Sequence, residues 1–336
     1  MTGSAVTAVA HPNIALVKYW GKRDSALNLP AAGSLSLTLG PIHTRTTVQF
    51  GIDGGTDEVW FDERPAPAKE VARLSRFLDL VRQLAGTGDR ARVVTSNNFP
   101  TAAGLASSSS GFAALALAAT HAAGLTLPPS ELSVLARRGS GSAARSIFGG
   151  FAVMDPGERA DGTDAFARPL EGVDWPLEVV IAVTVEGAKD VSSTVGMEQT
   201  ERTSPYFDAW IREVPPAIVH ATEAILNRDF QRLAAVAEAS ALQMHASAMA
   251  AVPGVIYWRG ATIEVVHEVR RARAQGMPVF FTIDAGPHVK VFTTAAYADQ
   301  AATWLAALPG VLRVIRTRAA GGAHLVVSPA STAELS

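Results

Sequence analysis

The 336-residue chain contains no cysteine, which excludes disulfides, thiolate catalysis and zinc–thiolate cages and makes a reducing compartment, the cytoplasm, the default expectation. Charge is sparse and balanced. With 29 Lys and Arg against 31 Asp and Glu, the net charge of −2 leaves no broad electrostatic surface for nucleic acid or an anionic membrane, so basic groups that matter act locally. Long apolar runs are missing too. Met1–Ala10 has neither the charged nor the apolar region of a signal peptide, and the most apolar helical stretch, Phe112–Leu125, is short and interrupted by His121, so no membrane span is expected.

The common catalytic signatures are also lacking: no G-x-x-x-x-G-K-[ST], no G-x-G-x-x-G after a strand, no G-x-S-x-G and no H-E-x-x-H. The eight histidines are scattered without metal-ligand spacing. His121, His245 and His267 fall in helical stretches and read as structural, so no protein metal cage is assigned.

What is present is a large apolar fraction, 48%, enough at this length for a sizeable core and roughly two lobes. Short strands are expected at Val6–Ala10, Ser34–Leu39, Thr44–Phe50 and Glu58–Phe61, then a helix at Lys69–Ala85, a strand at Arg92–Thr95 and a helix beginning near Phe112. Glu131–Arg138 reads as a helix, Gly139–Ser142 as a turn and Phe151–Met154 as a strand. The polar stretch Pro156–Pro176 marks the lobe boundary, dividing the chain into 1–175 and 176–330. Beyond it, Val179–Val185 is a strand, Ala209–Arg212 and Ala217–Leu226 are two helices, and Phe230–Met249 and Thr262–Gln275 are longer ones. Strands at Val279–Ile283, Val289–Thr293 and Val311–Arg316, with a helix at Ala296–Leu308, complete an α+β pattern in two lobes.

Two segments carry chemistry. Asn97–Gly111 joins a Gly- and Ser-rich turn to an apolar helix, the layout of a phosphate cradle, in which Gly104 supplies conformational freedom and the first helical turn supplies N–H groups. The same pattern also serves as a plain helix cap. Asn13–Asp24 sets Lys18, Lys22, Arg23 and Asp24 within seven residues beside Tyr19 and Trp20, and continues to Ser34-Leu35-Ser36. Such density suits a polyanionic ligand, although a charge run is more often a solvated turn.

Four blocks, N-I-A-L-V-K-Y-W-G-K-R-D at Asn13–Asp24, N-N-F-P-T-A-A-G-L-A-S-S at Asn97–Ser108, R-R-G-S-G-S-A-A-R-S-I-F-G-G at Arg137–Gly150 and D-A-G-P at Asp284–Pro287, resemble the diphosphomevalonate decarboxylases of the GHMP kinase superfamily. K-D-V-S-S-T at Lys189–Thr194 is a shorter match. The resemblance implies a two-lobed GHMP kinase fold, with an N-terminal lobe like ribosomal protein S5 domain 2, a ferredoxin-like C-terminal lobe, and a homodimer. It implies ATP- and Mg²⁺-dependent conversion of 5-diphosphomevalonate into isopentenyl diphosphate, carbon dioxide, ADP and phosphate.

By the resemblance, Asp284 orients or deprotonates the substrate 3-hydroxyl, Arg145 holds the substrate carboxylate with Asn13 orienting it, and Lys18, Lys189 and Ser108 act on the transferring phosphate. Tyr19, Trp20, Gly21, Lys22 and Arg73 would lie against the substrate, chiefly its diphosphate. Ser140, Gly141, Ser142, Ala143 and Ala144 would hold further substrate oxygens, with Ser192 and Ser193 touching substrate from another loop. Pro100, Ala103, Gly104, Leu105, Ala106, Ser107, Ser108 and Ser109 would wrap the ATP phosphates, Ser107 and Ser108 meeting Mg²⁺, while Ser96, Asn97 and Asn98 approach the nucleoside. Ala32-Gly33 and Ser109-Ser110 depart slightly from the usual family spelling. A 5-phosphomevalonate decarboxylase, a GHMP small-molecule kinase that stops at phosphorylation, and a silent ATP-binding scaffold remain the alternatives.

Overall fold

A computed structural model describes residues 3–99, 107–187 and 189–326 of the chain, so the expected cradle residues Pro100, Ala103, Gly104, Leu105 and Ala106 lie outside the described residues. The first half comprises β1 (Val6–Ala10), β2 (Asn13–Val17), β3 (Lys22–Asp24), β4 (Leu29–Pro30), β5 (Ser34–Gly40), β6 (Thr44–Phe50), β7 (Glu58–Phe61) and β8 (Arg64–Pro65). It continues through α1 (Ala68–Ala85), β9 (Ala91–Asn97), α2 (Ser107–Ala122), α3 (Pro129–Gly139), the single turn α4 (Ala143–Ser146), β10 (Phe151–Met154) and β11 (Ala167–Pro169). The second half is β12 (Leu177–Val183), α5 (Ser193–Thr203), α6 (Phe207–Leu226), α7 (Phe230–Met249), α8 (Gly260–Ala274), β13 (Val279–Ile283), β14 (Val289–Thr294), α9 (Ala298–Ala306), β15 (Arg313–Ala319) and β16 (His324–Leu325).

One sheet runs β16-β1-β6-β9-β7-β8 and buries Val48, Val59, Val93 and Phe50 under α2, whose Ala-rich sequence lets it sit close to the strands. The second runs β11-β10-β5-β15-β12-β14-β13, with β2 also paired to β5. Its C-terminal part, in order β15-β12-β14-β13 with helices after the first and third strands in sequence, is the ferredoxin-like arrangement. Period-two alternation assigns its faces. Val179, Ile181, Phe280 and Phe292 point toward α6 and α7, whereas Val180, Phe281, Val289 and Val291 point toward α8 and α9. Pairing of β5 with β15 at Ala319 and Leu39 carries this sheet from one half of the chain into the other.

Three expectations are corrected. The helix expected near Phe112 starts at Ser107, because Ser107–Ser110 form its first turn and not a preceding loop. The two helices expected around Pro215 and Pro216 are one rod, α6: both prolines are exposed, so water can replace the lost N–H donors, while Trp210, Val214, Ala221 and Ile225 anchor the helix on either side. Asn13–Val17, read as part of a charged segment, is the fully buried strand β2.

Candidate active site

Asp284 follows β13 in a tight turn whose shape is fixed from several sides. Pro287 O accepts from Thr262 Oγ1 at 2.7 Å and from Thr184 Oγ1 at 3.0 Å, and Asp284 O lies 3.1 Å from His245 Nε2 on α7. Lys18, just beyond β2, reaches this turn from the other half of the chain. A register shift between Ala15 and Val17 precedes it, the kind of irregularity that re-aims side chains. Lys18 Nζ donates to Asp284 Oδ1 at 2.6 Å and to Ala15 O at 2.7 Å, and its backbone N–H donates to Ser240 Oγ at 3.0 Å.

Burial pushes the Lys18 ammonium down to about 8, even though Asp284 pulls the other way. Burial alone would raise Asp284. The surrounding Lys18, Lys290 and Arg145 outweigh it and hold the carboxyl below its ordinary value. Asp284 is thus an ionised carboxylate, and at 27% side-chain exposure it remains open to a ligand.

Arg145, on the short α4 turn, is 1% exposed. Its guanidinium donates to Ser36 Oγ at 2.9 Å, to Ser34 Oγ, and to Asn13 Oδ1 at 3.2 Å. Asn13 is itself fixed, its amide donating to Ser146 Oγ at 2.7 Å and Ser142 O at 2.9 Å. None of these hydrogen-bond partners is anionic, and Asp284 acts on the guanidinium only through space, so the buried fork is oriented with no carboxylate bonded to it. A planar carboxylate is its complementary ligand.

A cavity of about 500 Å³ opens between these groups, lined from both halves of the chain by Asn13, Lys18, Tyr19, Trp20, Lys22 and Arg73, by Ser140, Gly141, Ser142 and Arg145, and by Lys189, Ser192, Ser193 and Asp284. Tyr19 Oη is buried with no hydrogen-bond partner among the described residues, and burial pushes its phenol up to about 12, so it enters as a donor. Gly141 lies against it, where a Cβ would come within 2.3 Å of Tyr19 Oη. Lys22 Nζ is held by Asn28 Oδ1 at 2.7 Å, and burial lowers its pKa. Ser140 Oγ stands 3.4 Å from Ser108 Oγ and 3.3 Å from Ser142 Oγ, joining this wall of the cavity to the start of α2.

Lys189 donates to Ser193 Oγ at 2.7 Å and to Ala285 O at 3.0 Å, tying the α5 N-terminus to the Asp284 turn, and burial lowers its pKa. Ser192 caps α5, accepting from Val195 N–H at 3.2 Å. Beside the cavity a groove of about 360 Å³ is lined by Thr44, Asn97, Phe112 and others, and the two share Arg73, Ser107 and Ser108. Arg73 stacks over the Phe112 ring at 4.7 Å.

Several expected contacts lie behind the surface instead. Ala143 and Ala144 pack into hydrophobic clusters, and Gly21, at φ 94°, lets the chain turn where a Cβ would strike Phe207. Ser109 is fully buried. Ser96 pairs across the sheet with Arg45, and Asn98 bridges Pro41 O and His43 N–H, so neither lines the cavity or the groove. Ser34 and Ser36, at the end of the polar segment read from sequence, prove to hold Arg145, and Asn28 holds Lys22; the histidine His245, which meets the Asp284 turn, and the buried Lys290 are groups that sequence reasoning missed. Lys290 had a visible signal, a lone lysine in the apolar run Val289–Phe292.

Residues 10–167 match the family described as diphosphomevalonate decarboxylase-like N-terminal domain, and residues 179–321 match the mevalonate 5-diphosphate decarboxylase C-terminal domain. The diphosphomevalonate decarboxylase of Homo sapiens is 38% identical over 330 residues, covering 91% of this chain and 82% of that protein. The mevalonate diphosphate decarboxylase from Enterococcus faecalis is similar in structure with a TM-score of 0.90 at 38% identity, covering 98% of this chain and 100% of that one. A further solved structure, MDDEF in complex with MVAPP, AMPPCP and magnesium, gives a TM-score of 0.89 at 39% identity over 98% of this chain and 100% of that one. With both domain families matched in chain order and kinship extending over nearly the whole sequence, this chain belongs to the diphosphomevalonate decarboxylase family, on the GHMP kinase fold.

Proposed function

We infer that the ATP-dependent decarboxylation of 5-diphosphomevalonate to isopentenyl diphosphate is carried out in this chain by Asp284, Arg145 and Lys18. The carrying observation is the 2.6 Å contact of Asp284 with the buried Lys18 in the cavity that is also lined by the guanidinium fork of Arg145. Asp284 accepts the proton of the substrate 3-hydroxyl as that oxygen attacks the γ-phosphorus of ATP and the bond to the β,γ-bridging oxygen breaks, releasing ADP. Lys18 and Lys189 compensate charge on the phosphoryl group in flight, and Ser108 positions it. Arg145, aligned by Asn13, holds the substrate carboxylate. Once the 3-phosphate departs, the electrons of the bond to that carboxylate form the new double bond and carbon dioxide leaves.

Tyr19, Lys22, Arg73, Ser140, Gly141 and Ser142 receive the diphosphate, to which Tyr19 Oη brings an unpaired donor. Ser192 and Ser193 approach substrate from the α5 side, and Trp20 forms part of the wall. The groove beside Ser107 and Ser108 suits the nucleotide, with Asn97 facing its nucleoside. Among the described residues no group of three or more His, Asp or Glu is placed to hold a metal, so Ser107 and Ser108 fit Mg²⁺ only together with phosphate oxygens. When bound, the ion neutralises phosphate charge. The reading also includes lobes divided at 1–175 and 176–330 and a cytoplasmic homodimer, which light scattering and fractionation would test. No described helix is long and apolar enough to cross a membrane.

The deciding assay follows ADP and carbon dioxide together with ATP, Mg²⁺ and either 5-diphosphomevalonate or 5-phosphomevalonate. Equal release from the diphosphate is expected. Preference for the monophosphate, ADP without carbon dioxide, or silence would each replace the substrate or the reaction proposed. Asp284→Asn keeps shape and loses the base, so it should retain nucleotide binding and lose at least ~10²-fold in kcat. Near-normal turnover would overturn the role of Asp284.

A further inference from the structure

We propose that Lys290 is a positioning residue for the phosphoryl-transfer step, holding the second carboxylate oxygen of Asp284 in place and keeping that carboxylate ionised. The proposal rests on the reading of Asp284 as the base. Lys290 lies on β14, on the face shared with Phe280 and Phe292, where its cross-strand neighbours are Thr282 and Ile181. It is 2% exposed. Its Nζ approaches Asp284 Oδ2 at 3.9 Å and donates to His288 O at 3.3 Å. An apolar side chain would suit that face better on packing grounds, since burying an ammonium with so few partners costs free energy.

The placement has a functional reason instead. Lys18 holds Asp284 Oδ1, and Lys290 stands on the side of Oδ2, so the carboxylate is bracketed by one ammonium at each oxygen. From the other elements packed around it, Asp284 faces Arg145 of α4, Lys189 before α5, His245 of α7 and, on its own turn, His288. His245 is deeply buried and stays neutral, its pKa pushed down to about 3 chiefly by desolvation. Removing Lys290 therefore subtracts a cation from the base without altering a substrate contact.

The test is Lys290→Met, assayed over pH with ATP, Mg²⁺ and 5-diphosphomevalonate. We expect the acid limb of kcat/KM to move up by about one pH unit, so that the loss reaches about tenfold on that limb and shrinks toward neutral pH, both KM values to hold within about twofold, and the melting temperature to stay or rise. Lys290→Gln, of similar reach but uncharged, should shift the same limb and serves if the methionine variant does not fold. In an Asp284→Asn background, adding Lys290→Met should leave the residual rate unchanged, because the group through which it acts is gone. An unmoved acid limb in a folded variant, or an equal loss at every pH with a lowered melting temperature, overturns the proposal. Full turnover by Asp284→Asn alone would instead overturn the base assignment beneath it.

Discussion

Replacing Arg145 by methionine should separate stability from activity. Burial pushes this guanidinium well below its ordinary value, to about 10, which at about 1.4 kcal/mol per pH unit corresponds to roughly 3 kcal/mol against its charged form. Methionine removes that cost and leaves the hydroxyls of Ser34 and Ser36 and the Asn13 carbonyl without their donor, each worth about 1–3 kcal/mol when buried and unpaired. The terms oppose one another, so the melting temperature should move by only a few degrees. Activity has no such compensation. Deleting one member of a buried, bidentate charge pair costs about 3–5 kcal/mol, or roughly 10²- to 10⁴-fold in kcat/KM. Arg145→Lys, which keeps the charge but not the planar fork, should fall between the two. Carbon dioxide release at limiting 5-diphosphomevalonate, beside a thermal melt, measures both. A folded Arg145→Met within fivefold of wild type would refute the clamp.

Other consequences follow from the same geometry. Gly141→Ala should drive Tyr19 Oη away from the cavity and lower kcat/KM by ~10-fold or more with little change in melting temperature, and a normal KM for 5-diphosphomevalonate would contradict the placement of Tyr19. Lys18 should give a basic limb near pH 8. Its proton leaves the folded chain near 8 but stays on the unfolded chain to about 10.5, so between those values stability gains from rising pH while activity falls, a divergence that parallel rate and urea-unfolding profiles would show or deny. Asp57, far from the cleft, is paired with Arg82; burial would raise its carboxyl, but Arg82 and the Ala91 N–H hold it low. Stability from this pair should therefore be lost as pH falls through that depressed value, and Asp57→Asn, which leaves Arg82 its second carboxylate partner Asp79, should cost about 1–3 kcal/mol in unfolding free energy with kcat unchanged.

The strands and helices were legible where one periodicity dominated. Phe230–Met249 and Phe151–Met154 end where the apolar pattern ends. Where chemistry and structure compete for the same residues, the pattern misleads. Asn13–Val17 is buried over its whole length and so lacks alternation, and its polar first residue and following lysine resemble a surface turn until β5 and α7 are laid over it. The proline pair in α6 shows the opposite error, a strong local breaker overridden because packing on both sides fixes the rod.

The site was legible as far as motif blocks reach. Asp284, Arg145, Asn13, Lys18, Tyr19 and Lys189 lie in such blocks, and the fold gathers them around one cavity although they are scattered from residue 13 to residue 284. What the blocks could not supply is the support behind them. His245 carries no special spacing on α7, and only the return of β13 brings the Asp284 carbonyl to its ring. Lys290 is ordinary in composition and unusual only in burial, a property of the whole sheet. Lys18, Lys189, Lys290 and Arg145 all act on the Asp284 carboxylate, a local excess of cationic charge that suits anionic ligands. Affinity for ATP and the diphosphate should therefore fall most steeply with added salt when these cations are intact. A salt dependence that survives replacement of Lys18 and Arg145 unchanged would place the attracting charge elsewhere, on the exposed rim of the cleft.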